Sequence, residues 1–285
     1  MNFIDIASWQ GGIDLAKVFE ENPLDGVIVK ATEATAYVNP YYKQWTDWLL
    51  ENGKPFGVYH FCAGGDAIAE ATHFYNTVRD NIGKCVPCAD YENPATNKGT
   101  AWLKKFLDRF YELSGVKCLI YCSQSITQSQ NFDAIAREGY RLWMAQYADY
   151  QNVYGFKENP WHHGSVSPFL GYAMHQYTSC GYLDGYSGRL DFDLFYGNEQ
   201  DWKDLCGDQE APTVLKDPDP AVVADVLDGK YGINPGRITK LREAGYNPDK
   251  VQAKINELYS VADKVRPIVK SNLDYINSLV KIIEN

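Results

Sequence analysis

From the N-terminus to about Phe195, short apolar runs alternate with stretches of helical spacing, and this alternation is the strongest constraint on the fold. The runs fall at residues 3–6, 26–31, 56–61, 85–91, 117–121, 141–145, 172–177 and 190–195, and the clearest helical stretches at 15–20, 41–51, 68–79 and 100–114. Parallel neighbours need a crossover, usually helical, so strands alternating with helices predict a mainly parallel sheet. This many units predict an α/β barrel. Working residues of such barrels gather at the C-terminal ends of the strands. The residues there are Asp5, Glu33, Tyr59, Asp90, Glu92, Tyr121, Trp143, Gln176 and Asp191, which together make an acidic, aromatic mouth.

Within that set, Cys88-Ala89-Asp90-Tyr91-Glu92-Asn93-Pro94 carries the sharpest chemistry. Residues i and i+2 of a strand share a side, so Asp90 and Glu92 stand together, and Asn-Pro ends the strand. Two carboxylates in one site push their pKa values apart, leaving one protonated as an acid while the other stays charged. Glycosidic bond cleavage uses such a pair. Glu92 is the expected general acid, its pKa raised by crowding from Asp90 and Asp191. Same-side neighbours on a strand lie about 6.5–7 Å apart at Cα, which leaves retaining and inverting geometries both open.

Charge and cysteines narrow the alternatives. From Ala211 onward the chain has 11 Lys+Arg against 10 Asp+Glu, leaving 16 against 27 before it. So acidic an N-terminal part excludes phosphate-tracking contacts, and no nucleic-acid partner is expected. No Gly-rich phosphate cradle occurs, and no apolar run is long enough for membrane insertion. The opening Met-Asn-Phe-Ile-Asp has neither the basic nor the apolar region of a signal peptide. The expectation is synthesis in the cytoplasm with reduced thiols. Cys85-Val-Pro-Cys88 matches C-x-x-C, but Cys118 and Cys122 do not supply a well-spaced second pair. These thiols read as small packing residues, with no metal or cofactor expected.

The ordered motifs DIASWQG (5–11), VIVKATEAT (27–35), GVYHF (57–61), ADYEN (89–93), LIYCS (119–123), LWMAQY (142–147), HQYTSCG (175–181) and LDFDLFYG (190–197) resemble glycoside hydrolase family 25, the muramidases of phages, bacteria and fungi. The resemblance covers residues 1–205. It implies an irregular (β/α) barrel of five β/α units followed by partly antiparallel strands. It also implies hydrolysis of the β-1,4 bond between N-acetylmuramic acid and N-acetylglucosamine in bacterial peptidoglycan. The acidic cluster carries over onto Asp5, Asp90, Glu92 and Asp191, with Asp193 able to replace Asp191. Asp90 is the expected orienter of the substrate's N-acetyl group, and Asp5 and Asp191 hold protonation states and sugar hydroxyls. Glu33, Tyr59, Tyr121, Trp143 and Gln176 are the candidate substrate contacts. One departure is Ala34, where the family usually has Gly. The rivals are a catalytically dead peptidoglycan-binding protein, which would need a broken acid cluster, and a chitinase-like hydrolase, which would need a longer acidic strand motif than residues 83–92 supply.

A polar linker at 207–217 follows the 1–206 barrel. Residues 218–260 then read as three short helices, and VLDGKYG…R…LREAGYNPDKVQAKINEL resembles the Cpl-7-type cell-wall-binding repeat. Tyr231 and Arg237 are its candidate ligand contacts. In the tail, 261–285, Val269, Leu273, Ile276, Leu279, Val280 and Ile283 make an apolar stripe on a helix starting at Pro267. That stripe is the candidate surface for a homo-oligomer.

Overall fold

The computed structural model describes residues 1–169, 171–207, 216–232, 237, 240, 241 and 244–283, except for the side chains of 249, 268, 271 and 273–283. The chain divides into two compact units, the first holding all the strands and the second the C-terminal helices.

The strands of the first unit are β1 (Asn2–Ile6), β2 (Gly26–Glu33), β3 (Tyr37–Val38), β4 (Phe56–Phe61), β5 (Val86–Asp90), β6 (Leu119–Ser123), β7 (Leu142–Ala145), β8 (Val153–Tyr154), β9 (Met174–Tyr182) and β10 (Leu190–Phe195). The order β2-β4-β5-β6-β7-β9-β10-β1 closes into a barrel through a parallel β1–β2 pairing. β10 runs antiparallel to both its neighbours, and the other barrel pairs are parallel. β3 extends β2 as a hairpin and β8 pairs with β9. The predicted irregular barrel is therefore the observed architecture. The predicted helices appear as Leu15–Glu21, Tyr42–Glu51, Ala67–Val78 and Thr100–Ser114.

Strand alternation builds two apolar layers. One set of residues, including Ile4, Val27, Val29, Val58, Ala89, Ile120 and Leu142, faces outward and packs under the helices. The other set, Phe3, Ile28, Val86, Cys88, Leu119, Met174 and Phe195, fills the barrel. Phe3 sits so tightly that a Cβ on Gly26 would lie 2.3 Å from its ring, so the pairing of these two residues requires glycine. A helix not anticipated from sequence, Glu199–Cys206, starts at the Asn198–Asp201 capping box and brings Trp202 against the ring of Phe3 at 4.3 Å. The thiols are buried packing groups.

Ala34 has φ +51°, the left-handed region that glycine occupies without strain. A residue with a Cβ pays roughly 1–2 kcal/mol there. The departure noted at this position therefore sits where the backbone favours glycine.

In the second unit, Asp219 caps the helix Pro220–Leu227 by accepting from the Val222 backbone N–H at 2.9 Å, with Pro220 in the first turn. Val222, Val223, Val226, Leu241, Val251 and Ile255 form its core. Most of the predicted second helix and of the 207–217 linker lie outside the described residues. The expected break between the last helix of the repeat and the tail is absent. One helix runs Pro248–Ile283, and Pro267 lies inside it, not at a first turn. The intervening Tyr259–Arg266 stretch has no helix stop such as Gly-Asn, so the helix continues and accepts the proline. Val269 is exposed, while the stripe side chains of Leu273, Ile276, Leu279, Val280 and Ile283 lie outside the described residues. Among the described residues no helix is long and apolar enough to cross a membrane.

Candidate active site

The same alternation that fills the barrel places its polar residues. Two positions beyond the interior residues Phe3, Ile28, Cys88, Leu119 and Met174 come Asp5, Lys30, Asp90, Tyr121 and Gln176, on the same face of their strands and one step nearer the mouth. β10 enters from the opposite direction, so its first residues are the ones near the mouth. Phe195 lies at the bottom of the barrel, Asp193 above it and Asp191 at the top. β5 ends at Asp90, so Glu92 stands in the following loop instead of on the strand, yet both carboxylates reach the same cleft. Asp5, Tyr59, Asp90, Glu92, Tyr121, Trp143, Tyr147, Gln176 and Asp191 line that cleft, whose volume is about 300 Å³.

Burial sets the protonation of the acids. It is the largest cause holding Asp90 well above the usual carboxylate range, with the charges of Glu92 and Asp5 adding to it. Asp90 Oδ1 is buried with no hydrogen-bond partner among the described residues. Asp193 is fully buried and likewise held well above its ordinary value, by burial and then by Asp5 and Asp191. Burial lifts Asp5 to about 6 against the Gln176 hydrogen bond that lowers it, and burial with Asp5 and Glu92 nearby lifts Asp191 to about 8. Glu92 is raised as well, and its first cause is burial, where the sequence reading gave crowding; the Lys30 ammonium opposes the rise. Four carboxyl groups line the cleft and Asp193 lies buried beneath them, so these acids interact and titrate as a set. Glu92 is the one that keeps substantial exposure, since its position beyond the strand end leaves it on the solvent side.

Neutral partners hold the set in place. The Gln176 amide donates to Asp5 Oδ2 at 2.6 Å, while its carbonyl accepts from the Tyr121 and Tyr147 hydroxyls at 2.8 and 2.5 Å. Both ends of that amide are committed, so Gln176 acts as an orienter of Asp5 more than as a contact for ligand. Trp143 donates Nε1–H to Asp193 Oδ1 at 2.7 Å and packs edge-on against Tyr121. A buried chain behind the cleft fixes the Asp90 side. His60 bonds Thr32 Oγ1 at 2.8 Å and Glu70 Oε2 at 3.2 Å, and Glu70 accepts the Ala63 and Gly65 N–H groups. The loop so clamped donates Cys62 N–H to the Asp90 carbonyl at 3.0 Å.

The structure thus brings together Asp5, Asp90, Glu92, Asp191, Tyr59, Tyr121, Trp143 and Gln176. Glu33 does not line the cleft; it pairs at the rim with Lys30 Nζ at 2.6 Å. Sequence reasoning passed over Lys30, Tyr147 and the joint membership of Asp193. The Asp191/Asp193 spacing of two held the signal for the last, because both must then face one side of the strand. Ile28/Lys30 held the same signal. Tyr147 lies beyond the end of β7, where strand period carries no information. Tyr231 packs against the apolar core of the second unit, and Arg237 is half-buried.

Comparison with known proteins agrees with this geometry. Residues 4–186 match the family described as glycosyl hydrolases family 25, and residues 220–259 match the CW_7 repeat. An autolytic lysozyme of Clostridium acetobutylicum is 28% identical over 200 residues, spanning 68% of this chain and 56% of that protein. The lysozyme of Streptococcus phage Cp-7 is 26% identical over 266 residues, spanning 90% and 69%. Among solved structures, the bacterial lysozyme from Streptomyces coelicolor superposes with a TM-score of 0.61 at 21% identity, over 73% of this chain and 98% of that one. The CTP1L endolysin does so with a TM-score of 0.56 at 26% identity, over 80% and 79%. The family match takes in nearly the whole barrel, including Asp5, Asp90 and Glu92 of the cleft, and more than half of the 285 residues; this chain belongs to glycosyl hydrolases family 25.

Proposed function

We propose that this chain is an endolysin-type muramidase that hydrolyses the β-1,4 bond between N-acetylmuramic acid and N-acetylglucosamine. The observation that carries the reading is the cleft itself: Asp5, Asp90, Glu92 and Asp191 line one mouth above a packed barrel, with Asp193 buried beneath them and Glu92 on the solvent side. Glu92 protonates the glycosidic oxygen as the C–O bond to the leaving sugar breaks. Asp90 orients the substrate's acetamido group, whose carbonyl oxygen attacks the anomeric carbon, and water then opens the cyclic intermediate with Glu92 as base. Asp5 and Asp191 hold protons and sugar hydroxyls, Gln176 keeps Asp5 in position, and Trp143 holds Asp193 beneath them. Neither rival gains support, since the acid cluster is intact and the family match is to the muramidase type. Mass spectrometry of digested cell wall tests the reading. A new muramic acid reducing end is expected; a glucosamine end, or free stem peptides, overturns it.

The CW_7 match supports a role for the C-terminal unit in holding peptidoglycan after release from the host cytoplasm. One repeat is matched, so binding gains from having several copies in one particle. Val261, Val265 and Val269 are exposed along the long helix, which suits association between chains. Light scattering on the full chain and on a version ending at Ser260 checks this, and monomers in both cases at micromolar concentration refute it.

A further inference from the structure

Trp9 is 90% exposed, the most exposed large apolar side chain described. Such exposure is unusual for tryptophan, which is highly buried on average. It follows Asp5 by four residues, so its Cα lies at most about 14 Å from that of the acid. The turn leaves the C-terminal end of β1, which is the face of the barrel on which the cleft opens. Its backbone is firmly set. Gln10 Oε1 accepts the Ala7 N–H at 2.9 Å, Gln10 N–H donates back to the Ala7 carbonyl at 2.9 Å, and Ile13 N–H donates to the Gln10 carbonyl at 2.9 Å. Next to the turn, the Tyr41 ring packs so closely on Gly11 that a Cβ there would lie 2.4 Å from it.

Trp9 is also not an isolated surface apolar group. The Tyr37 hydroxyl donates to Ser8 Oγ at 3.3 Å, which ties the tip of the β2–β3 hairpin to the turn. Tyr37 and Val38 are themselves exposed at 38% and 44%. The Lys30 ammonium, whose charge acts on Glu92, lies 5.5 Å from the Tyr37 ring centre and pairs with Glu33.

We propose that Trp9, on the turn that the Tyr37 hydroxyl ties down, is a stacking platform for a saccharide ring of the glycan strand outside the cleaved pair, a subsite that sets the preferred strand length. The occupant is a sugar because the turn stands on the face of the barrel where the polar glycan cleft opens. The apolar face of a pyranose needs a flat ring and no charge. A platform held by its own turn costs little ordering on binding.

This inference rests on the muramidase reading, and its test separates the two. Trp9→Ala in the full chain removes a side chain that packs on nothing, so the barrel folds as before. KM is measured on uncrosslinked glycan strands of several defined lengths, with the reducing-end sugar identified in each digest. The expected result is a rise in KM on long strands about tenfold greater than on the shortest cleaved fragment, equivalent to about 1.4 kcal/mol, with kcat little changed and Trp9→Phe intermediate. Saturating long strands also shift the tryptophan emission of an inactive Glu92→Gln chain, and Trp9→Ala removes that shift. Equal KM changes at all lengths, no change at any length, or an altered association state without a length effect would each overturn the platform. Failure of the muramidase reading would appear separately, as the wrong reducing end in the unsubstituted chain.

Discussion

Replacing Asp5 by Asn tests whether the acid cleft is held together against its own electrostatics. Burial lifts Asp5 from an ordinary 3.8 to about 6. The raised value means that the fold prefers the protonated form. Below pH 3.8 both folded and unfolded chains carry the proton, and the group costs nothing. As pH rises from 3.8 through 6, the unfolded chain releases its proton first, so stability falls across that window and stays lower above it. The difference of about two units corresponds to about 3 kcal/mol at neutral pH. Asn is nearly isosteric, and its carbonyl still accepts from Gln176 Nε2. Asp5→Asn should therefore stabilise the barrel by about 3 kcal/mol at pH 7.5, or roughly 6–12 °C in Tm for a domain of this size. The gain should vanish near pH 3.5 while activity collapses, since a functional acid is exchanged for stability. Calorimetry of both chains at the two pH values decides the matter. A loss of stability at pH 7.5, or a gain of the same size at both pH values, would refute the argument.

Four further outcomes are expected. Glu92→Gln should lower hydrolysis about 10²–10⁴-fold, the usual contribution of a general acid, while sedimentation with cell walls stays unchanged; activity within a few-fold of the parent would remove Glu92 from that role. Gln176→Leu deletes the donor that lowers the Asp5 pKa, so the pH–rate profile should move to higher pH, and an unmoved profile would show that the amide does not tune the acid. Ala34→Gly relieves a left-handed alanine and should raise stability by roughly 1 kcal/mol, read from urea unfolding. Pro267→Ala restores an N–H inside the long helix and should raise its thermal stability, by up to about 3 kcal/mol, followed by circular dichroism.

Much of the barrel was legible because its determinants are local. Strand period is two, so an apolar interior residue such as Phe3 or Met174 predicts that Asp5 or Gln176 faces the same lumen. The ends of parallel strands meet at one mouth, so the cleft acids could be grouped before their contacts were known. Ala34 stood out only against the pattern of the resembling family, and its left-handed backbone became visible only with the hairpin in place.

What local pattern does not carry is the direction and depth of elements whose partners lie far along the chain. β10 runs against its neighbours because it pairs β1 and β9, and that reversal makes Asp193 the deeper acid and Asp191 the upper one. The burial that raises the acids comes from all sides of the closed barrel, so no segment alone encodes it. Lys30 reaches Glu33 across a register shift in β2, and Gln176 turns its amide toward Asp5 because Tyr121 and Tyr147 take its oxygen. The sequence by itself determined which residues could share the lumen, through an alternation fixed by backbone geometry. Only the tertiary structure decided how deeply each sits and which proton it keeps, because desolvation and charge coupling depend on every neighbour that closure brings in.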